Sequence, residues 1–560
     1  MKKAILVLAI VLLFCVIGVG CLVNKSDDEK EKVQVSGKTY KEFTAFFAVP
    51  GTELDENNVI QNLIADATGI KVHEKWLGSQ TAYDAINELL ESGDYPDFVD
   101  AGEESIRMYE AGALVALDDY IEKYPNIKEL FSQKQWDSLR QSDGHIYWIP
   151  QFSSTYGKER VCVHNDEAFW IQTRVLEWAG YPDIHTLDQY FDLIERYYAA
   201  NPAMSDGTAV IPYTILCDDW RYFCLENAPQ FLDGYPNDGA AIVDPQTHKV
   251  IDYNTTDTAV KYFKKLNEEY KKGIVDPEFY KQTYDEYIAK LSSGRVLGMV
   301  DQWWDFAYEA EDAIRHAGLD DEGCQYVPLP ITISEGITNQ WHNSGSVFHG
   351  SSGLAITTSC KDVDKAMEFV SALLEQDIHD LRYWGIEGVD YVIDDNGMFK
   401  KTKGMRKMAF DTAYKKSHFC QYNYFPQWLG TSRDGINAMK PEGQEVEFYD
   451  GLSDKVRKCL TAYDAQTYVE MLGSNPSPGP WYPIYTYAQA LSPSSDEGKA
   501  YHMMTECKQN YLPQVVMANN FDKTWAEYIK AYNSCHPERF LNGLQNEVNR
   551  RVEAAADYEQ

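Results

Sequence analysis

Two adjacent tryptophans and a carboxylate stand out in the segment VDQWWDF, residues 300–306. Trp303 and Trp304 offer flat apolar faces, and Asp301 beside them offers a planar hydrogen-bonding group. This combination suits a neutral sugar, which has apolar ring faces and a rim of hydroxyl groups. Because neighbouring side chains on an extended segment point to opposite sides, we expect one tryptophan to face a ligand and the other to face the core.

A second segment of this type is ILCDDWRYF, residues 215–223, in which Asp219 and Trp220 follow a strand-like run. The functional interpretation is a carboxylate and an aromatic ring that face a ligand. The structural alternative is a tryptophan in the core and an aspartate–arginine pair on the surface. Aromatic residues make up 13% of the chain, with 39 Tyr and 13 Trp. Core packing explains part of this excess, and a surface that grips sugar rings would explain the rest.

The elements that must position these side chains alternate between strand and helix. Residues 40–49, 70–77 and 96–102 have strand patterns, whereas residues 56–69 and 81–93 have helical periodicity with a terminal glycine. This order predicts βαβ units and a parallel sheet, with ligand loops at the carboxyl ends of its strands.

Later segments continue the α/β pattern. Residues 161–170 are predicted to begin a strand and then enter a helix through Asn165-Asp166, which are good N-cap residues. Residues 186–201 read as a helix and residues 241–254 as a hairpin. Beyond about residue 440 the chain is predicted to be mostly helical.

Composition and motifs exclude several classes of function. The formal net charge of −35 argues against nucleic-acid binding, which needs basic surface. The sequence contains no H-E-x-x-H, no G-x-S-x-G, no phosphate-binding loop and no G-x-G-x-x-G. We therefore expect no catalytic residues, no cofactor and no metal. The DDNG sequence at 394–397 reads as a hairpin turn, and His342 and His349 read as surface residues.

The N-terminus predicts export. MKKAILVLAIVLLFCVIGVG, residues 1–20, has a basic start and an apolar run, and it leads directly to Cys21. A cysteine at the cleavage point is typical of a bacterial lipoprotein, with the lipid on Cys21 and a charged tether after it. Gly18 stands where such signals usually have leucine, so an uncleaved membrane anchor is the alternative.

The nine cysteines beyond Cys21 are predicted to be mostly free, buried thiols, which fits a Gram-positive anaerobe.

Five segments in a fixed order carry a resemblance to a known family. They are SGDYPDFVDAG (92–102), GHIYWIP (144–150), LSSGRVLGMVDQWWDF (291–306), GLAITTSCKDVDKAMEFVSALL (353–374) and YWGIEGVDYVIDDNGMFK (383–400). Together with the signal, these segments resemble extracellular solute-binding proteins of ABC importers, of the maltose- and oligosaccharide-type family. The resemblance spans roughly residues 40 to 560.

The resemblance implies a two-lobed α/β fold of the periplasmic-binding-protein type, with a ligand cleft between lobes joined by crossing hinge strands. Signal peptide (1–20) and tether (21–38) would precede the lobes. Lobe one would comprise residues 39–152 and 352–425. Lobe two would comprise residues 153–351 and 426–560, including a helical C-terminal region.

The resemblance also implies ligand-binding positions. Glu103 and Glu104 match the turn that places a carboxylate on sugar hydroxyls, with a solvated helix start as the alternative. Gln151 follows a strand at the first lobe crossing. Trp428 and Arg433 lie in a late loop, NYFPQWLGTSRDG, that has the same residue chemistry.

We therefore expect a monomeric, lipid-anchored binding protein on the extracellular face of the cell membrane. It would capture an oligosaccharide and deliver it to the permease subunits of an ABC transporter. The alternatives are a secreted carbohydrate-active enzyme, a binding protein for another solute such as a peptide, and a sensor that serves a signalling partner.

Overall fold

Two β-sheets organise the chain, and each forms the centre of one lobe. The computed structural model describes residues 39–236, 239–343 and 348–558. The predicted signal peptide and the whole predicted tether, including Cys21, lie outside the described residues. The prediction of a two-lobed α/β fold is confirmed.

Strands are short and spread over the first three quarters of the chain. In chain order they are β1 (Lys41–Phe47), β2 (Ile70–Trp76), β3 (Phe98–Asp100), β4 (Trp148–Ile149), β5 (Thr155–Tyr156), β6 (Glu167–Gln172), β7 (Ile211–Tyr213), β8 (Ile242–Val243), β9 (Val250–Ile251), β10 (Val296–Gln302), β11 (Tyr326–Leu329), β12 (Leu354–Ile356), β13 (Val392–Ile393), β14 (Phe399–Lys400) and β15 (Leu429–Gly430).

Helices separate the strands and dominate the C-terminal quarter. The first half of them are α1 (Val59–Thr68), α2 (Ala82–Ser92), α3 (Ser105–Glu110), α4 (Asp118–Lys123), α5 (Pro125–Lys128), α6 (Gln133–Ser138), α7 (Thr173–Trp178), α8 (Leu187–Ala200), α9 (Phe223–Glu226), α10 (Ala228–Leu232), α11 (Asp257–Lys272) and α12 (Tyr284–Ser292). The second half are α13 (Trp303–His316), α14 (Val363–Leu373), α15 (Gln376–Tyr383), α16 (Lys403–Ala409), α17 (Thr412–His418), α18 (Glu445–Gly451), α19 (Asp454–Ala462), α20 (Tyr468–Leu472), α21 (Tyr485–Gln489), α22 (Asp496–Val516), α23 (Phe521–Asn533) and α24 (Pro537–Tyr558). Among the described helices, none is both long enough and apolar enough to cross a membrane.

The lobe-one sheet has the strand order β2-β1-β3-β12-β4. Strand β1 runs parallel to β2 and β3, as the βαβ pattern of the sequence predicted. Alternation along β1 turns Phe43, Ala45 and Phe47 into the core. Helix α1 begins where the Asn58 side chain accepts from a backbone N–H, and it ends at Gly69 with φ of 74°.

The lobe-two sheet has the strand order β11-β6-β10-β7. Strand β6 lies between two antiparallel neighbours, and all six of its residues are buried. The core around it extends into the C-terminal helices α22 to α24. The C-terminal helices therefore share one hydrophobic core with the β6 sheet.

The chain crosses between the lobes several times. One crossing holds the parallel pair of β5 and β15, in which Thr155 lies opposite Leu429. Another leads from β11 of lobe two to β12 of lobe one, and there the backbone N–H of His349 donates to Ser153 Oγ at 2.8 Å. Such crossings connect the two lobes.

One predicted element is wrong. The strand predicted to begin at residue 161 begins at Glu167, directly after Asn165-Asp166, and the helix begins only at Thr173. Asparagine and aspartate give only a local capping preference, whereas the apolar run Ala168–Ile171 is buried in the middle of a sheet. The predicted helix at 186–201 and the hairpins at 241–254 and 394–397 are present in the structure.

The cysteines of the described chain are all unpaired thiols. Cys217 is half-buried and the other eight are buried. In that setting a thiol behaves as a small apolar side chain.

A fully buried arginine fixes the segment that approaches the space between the lobes from lobe one. Arg382 donates to the carbonyl oxygens of Gln421, Tyr422 and Pro426 at 2.8, 2.9 and 3.0 Å. Its guanidinium thereby satisfies a run of backbone acceptors that would otherwise be buried without donors. The segment it holds carries Tyr424.

Replacing Arg382 with lysine should therefore destabilise the protein strongly. One ammonium group cannot reproduce the spread of the guanidinium donors, so several buried carbonyls lose their partners at a cost of about 3 kcal/mol in the free energy of unfolding. Arg196→Lys is the matched control, because its bond to Asp192 is exposed and such a pair is worth about 0.5 kcal/mol. Urea unfolding measures both, and equal losses would contradict the assignment.

Candidate ligand-binding site

One hydrogen bond and two electrostatic relations show where the lobes face each other. Gln489 of α21 donates from Nε2 to Glu103 Oε1 at 3.4 Å. Burial raises the pKa of Asp219 of lobe two, and the backbone N–H of Ala82, at the start of α2 in lobe one, opposes that rise. Burial raises the pKa of Tyr424 of lobe one, and the lobe-two charge of Arg221 opposes that rise. We call the space between these lobe-one and lobe-two residues the cleft.

Asp100 and Gln151 form a buried polar pair at the lobe-one wall of the cleft. Asp100 ends β3 and accepts from the backbone N–H of Gly102 at 2.9 Å. The Gln151 side-chain amide donates to its second oxygen. Burial raises the pKa of Asp100, and these two hydrogen bonds oppose the rise. The pair therefore supports the turn that carries Glu103.

Glu103 and Glu104 have different surroundings although they are adjacent. Glu104 forms an ion pair with Arg107 at 2.5 Å. Glu103 is exposed to the cleft, and desolvation raises its pKa, with Glu104 and Asp219 adding to the rise. Glu103 is thus an acceptor without a cationic partner among the contacts described.

Two aromatic side chains complete the lobe-one wall. Phe152 is 45% exposed, which is high for a phenylalanine. Its ring meets Tyr424 edge-on at 5.3 Å. Burial raises the pKa of Tyr424, the charge of Asp100 adds to the rise, and Arg221 across the cleft opposes it.

A buried ion pair forms the floor of the lobe-two side. Arg221 Nε lies 2.7 Å from Asp305 Oδ1, and both side chains are almost fully buried. The guanidinium lies over the rings of Trp220 and Tyr284, at 4.4 and 4.0 Å from their centroids. Tyr284 also donates from its hydroxyl to the Asp305 carbonyl oxygen at 2.7 Å.

Two tryptophans stack above this floor. The rings of Trp220 and Trp304 lie 5.7 Å apart with an interplanar angle of 11°. Both side chains are half-buried, and Phe223 packs against them at 6.0 and 6.2 Å. Trp304 donates from Nε1 to Gln302 Oε1 at 3.2 Å, which fixes the ring. They provide the flat aromatic surface that the sequence predicted for this region.

Trp303 faces the opposite way. Its half-buried ring packs against Trp170, Tyr468 and Phe306 of the lobe-two core, at 5.0, 5.2 and 5.5 Å. The two rings therefore have different neighbours, and the expected extended segment is absent at these positions. Strand β10 ends at Gln302, and the tryptophans form the first turn of α13, where successive side chains also point in different directions.

Asp301 lies beneath the site. It is completely buried and accepts from the Tyr287 hydroxyl at 2.6 Å and from Cys224 Sγ at 3.2 Å. Burial and the nearby charge of Asp305 raise the pKa of Asp301 well above its usual value. Cys224, Asp301 and Asp305 each have one potential metal-ligand atom, and these three atoms lie within 4.8 Å of one another. However, Asp305 already binds Arg221, and Asp301 already accepts the two hydrogen bonds given above. We assign Asp301 a structural role.

Trp428 and Arg433 have lobe-one partners. Trp428 is 2% exposed, and its backbone N–H donates to His379 Nε2 at 3.1 Å. Arg433 is exposed and binds Glu129 at 2.8 Å, with its guanidinium over the Tyr156 ring. Their described contacts include none of the cleft residues above, so the structure does not bring them to the tryptophan stack.

Several cleft residues had no signal in the sequence. Phe152 and Gln489 belong to no motif, and Tyr424 lies in the late loop NYFPQWLGTSRDG, where the sequence pointed to Trp428 and Arg433 instead. The prediction that His342 is a surface residue is wrong. Its side chain is buried, and its Nδ1 lies 3.2 Å from Nδ1 of His164. His349 is exposed, as expected, and its ring stacks on Tyr485.

The two adjacent tryptophans should differ in their effect on stability. Trp303→Ala removes a half-buried ring that packs against three aromatic side chains of the lobe-two core, and it should lower the free energy of unfolding by about 3 kcal/mol. Trp304→Ala removes a half-buried ring at the cleft and should cost about 1 kcal/mol. Chemical denaturation of both variants measures the difference, and a larger loss for Trp304→Ala would contradict the assignment of the two rings.

Comparisons with known proteins agree with this architecture. Residues 60–383 match the family described as bacterial extracellular solute-binding protein. No curated protein matches the chain. Three solved structures share the fold. The alginate-binding protein AlgQ2 without calcium ion has a TM-score of 0.60 and 16% identity, with 93% of this chain and 100% of that chain covered. An HMO-binding ABC-transporter-associated solute-binding protein from Bifidobacterium longum infantis has a TM-score of 0.59 and 15% identity, with 92% of this chain and 99% of that chain covered. FusA of S. pneumoniae in complex with kestose has a TM-score of 0.60 and 17% identity, with 91% of this chain and 99% of that chain covered.

The identities are low, so these three structures establish the fold alone. The family match covers more than half of the chain. This chain therefore belongs to the family of bacterial extracellular solute-binding proteins.

Proposed function

We propose that this protein captures an oligosaccharide in the cleft and delivers it to the permease of an ABC transporter. The observation that carries the proposal is the Trp220–Trp304 stack at the cleft. Sugar rings bind to aromatic faces through their apolar C–H surfaces, and such contacts need rings that are held in place. The Arg221–Asp305 pair beneath the stack supplies that support.

The polar side chains around the stack support the same conclusion. Carboxylates and amides accept and donate in fixed planes, as the hydroxyl rim of a sugar requires. Glu103 and Asp219 supply carboxylates from opposite lobes, and Gln489 supplies an amide. The structural neighbours bind glycans according to their names, which mention alginate, HMO and kestose.

Binding between the lobes couples capture to a change of shape. A ligand that contacts both lobes favours their closed arrangement over the open one. The crossings at β5 and β15 and near His349 would act as the hinge. We propose lobe one as residues 39–152 with 352 to about 440, because Trp428 and Met439 pack in its core, and lobe two as the remainder from residue 153.

The proposal includes the location of the protein. The signal at residues 1–20 would be removed and Cys21 would carry a lipid, so that the charged tether holds a monomer near its permease. The family and the structural neighbours are binding proteins, and we propose that this chain likewise performs no catalysis.

A thermal-shift screen against a glycan panel tests capture directly. A saccharide that binds the folded state raises the melting temperature, since a ligand at 100 times its Kd stabilises a protein by about 2.7 kcal/mol. We expect at least one oligosaccharide to do so without being hydrolysed over hours. Stabilisation by peptides alone, or release of shorter sugars, would contradict the proposal.

Tryptophan variants test the position of the site with the glycan so identified. Trp304→Ala and Trp220→Ala should each weaken binding at least tenfold by calorimetry, which corresponds to about 1.4 kcal/mol. Trp178→Ala is the matched control, because Trp178 is 46% exposed on α7 and its ring contacts Tyr197. Unchanged affinity in both cleft variants would show that the glycan binds elsewhere.

A further inference from the structure

We propose that the cleft selects uncharged oligosaccharides and rejects glycans that carry carboxylate or sulfate groups. This inference rests on the proposed function and adds the chemical class of its ligand. The same fold in AlgQ2 is described as binding alginate, a polyuronate. The fold itself therefore does not decide ligand charge, and the side chains of the cleft must do so.

The lobe-one wall has hydrogen-bond acceptors, and the neighbouring cation is already bound to a carboxylate. Glu103 projects into the cleft and accepts a single described hydrogen bond, from Gln489. Arg107 is the neighbouring cation, but Glu104 binds it at 2.5 Å and its guanidinium lies 4.2 Å from the centroid of Tyr83. An incoming anion would find no free guanidinium at this wall.

The lobe-two wall repeats this arrangement. Arg221 is 6% exposed, pairs with Asp305 and is enclosed by the rings of Trp220 and Tyr284. To bind a ligand anion, its guanidinium would have to leave a buried carboxylate, which is costly. The interaction that supports the tryptophan stack thus removes the arginine from anion recognition.

A buried carboxylate oxygen also lacks a donor. Asp305 is 3% exposed, and its Oδ2 has no hydrogen-bond partner among the described residues, although Oδ1 binds Arg221. The charges of Asp305 and Arg221 reach Tyr424 across the cleft, so this carboxylate lies near the boundary between the lobes. This unpartnered oxygen leaves negative charge beneath the tryptophan stack, which opposes an anion brought close to it.

Charge repulsion acts in the same direction. Glu103 and Asp219 stand on opposite lobes, close enough for the charge of one to raise the pKa of the other. A uronate or sulfate between them would add a third negative charge, and like charges placed together at an interface oppose binding. Sugar hydroxyl groups would instead donate to these carboxylates.

Matched glycan pairs test the inference. The probes are oligogalacturonides with their methyl esters, alginate oligosaccharides with mannan oligosaccharides, and sialyllactose with lactose, alongside neutral glucans, fructans and N-glycans. We expect every glycan that binds to be uncharged, and its acidic counterpart to bind at least tenfold more weakly in 50 mM salt. An acidic glycan that binds as tightly as its neutral counterpart would overturn the inference while leaving the proposed function intact. Binding of no glycan of either kind would overturn both.

Charge-removing variants identify the residues responsible. The double variant Glu103→Gln with Asp219→Asn should bind the acidic glycan of each pair more tightly, and so reduce the difference in affinity between the acidic and the neutral member. In the unmodified protein, 1 M salt should reduce the same difference in affinity, because both side chains are exposed and salt screens exposed charges. Asp522→Asn on α23, exposed and remote in the chain, is the matched control and should leave the difference unchanged. If the acidic glycan still binds as much more weakly than its neutral counterpart in the double variant and in 1 M salt, then Glu103 and Asp219 are not the residues responsible.

Discussion

The buried ion pair between Arg221 and Asp305 is the interaction on which the cleft depends. Two charges taken out of water carry a large desolvation cost, so such a pair contributes geometry more than stability. Here it fixes the segment after β7 against the first turn of α13. The guanidinium also lies over the rings of Trp220 and Tyr284, and Trp304 stacks nearly parallel to Trp220. The aromatic surface therefore lies against a buried ion pair.

The opposite wall is built by a comparable device in lobe one. Arg382 donates hydrogen bonds to backbone carbonyls of residues 421–426 and thereby positions Tyr424. Asp100 and Gln151 are hydrogen-bonded to each other and support the turn that carries Glu103. Each lobe therefore supplies both aromatic and carboxylate groups, and neither lobe completes the cleft alone. A ligand that needs both walls links binding to the relative position of the lobes.

Sequence patterns predicted the framework better than the site. Hydrophobic periodicity and terminal glycines located the βαβ units and several helices. It failed after Asn165, because burial in the centre of a sheet outweighs local capping. At the site, the division of Trp303 and Trp304 followed from their adjacency. The burial of Asp301 and Trp428 did not follow, because a motif shows which side chains are suitable but not which way they face. The contact of Glu103 with Gln489 joins residues 386 positions apart, beyond any local pattern.

The central claim is that one uncharged oligosaccharide contacts both lobes in this cleft. Hydrogen–deuterium exchange with and without a bound glycan tests that claim most directly, because amides at a closed interface exchange more slowly. The account predicts new protection in four segments at once, residues 100–104 and 151–153 of the lobe-one wall and residues 219–223 and 302–306 of the lobe-two wall. Protection confined to one lobe, or protection that leaves these segments unchanged while the glycan is bound, would contradict it.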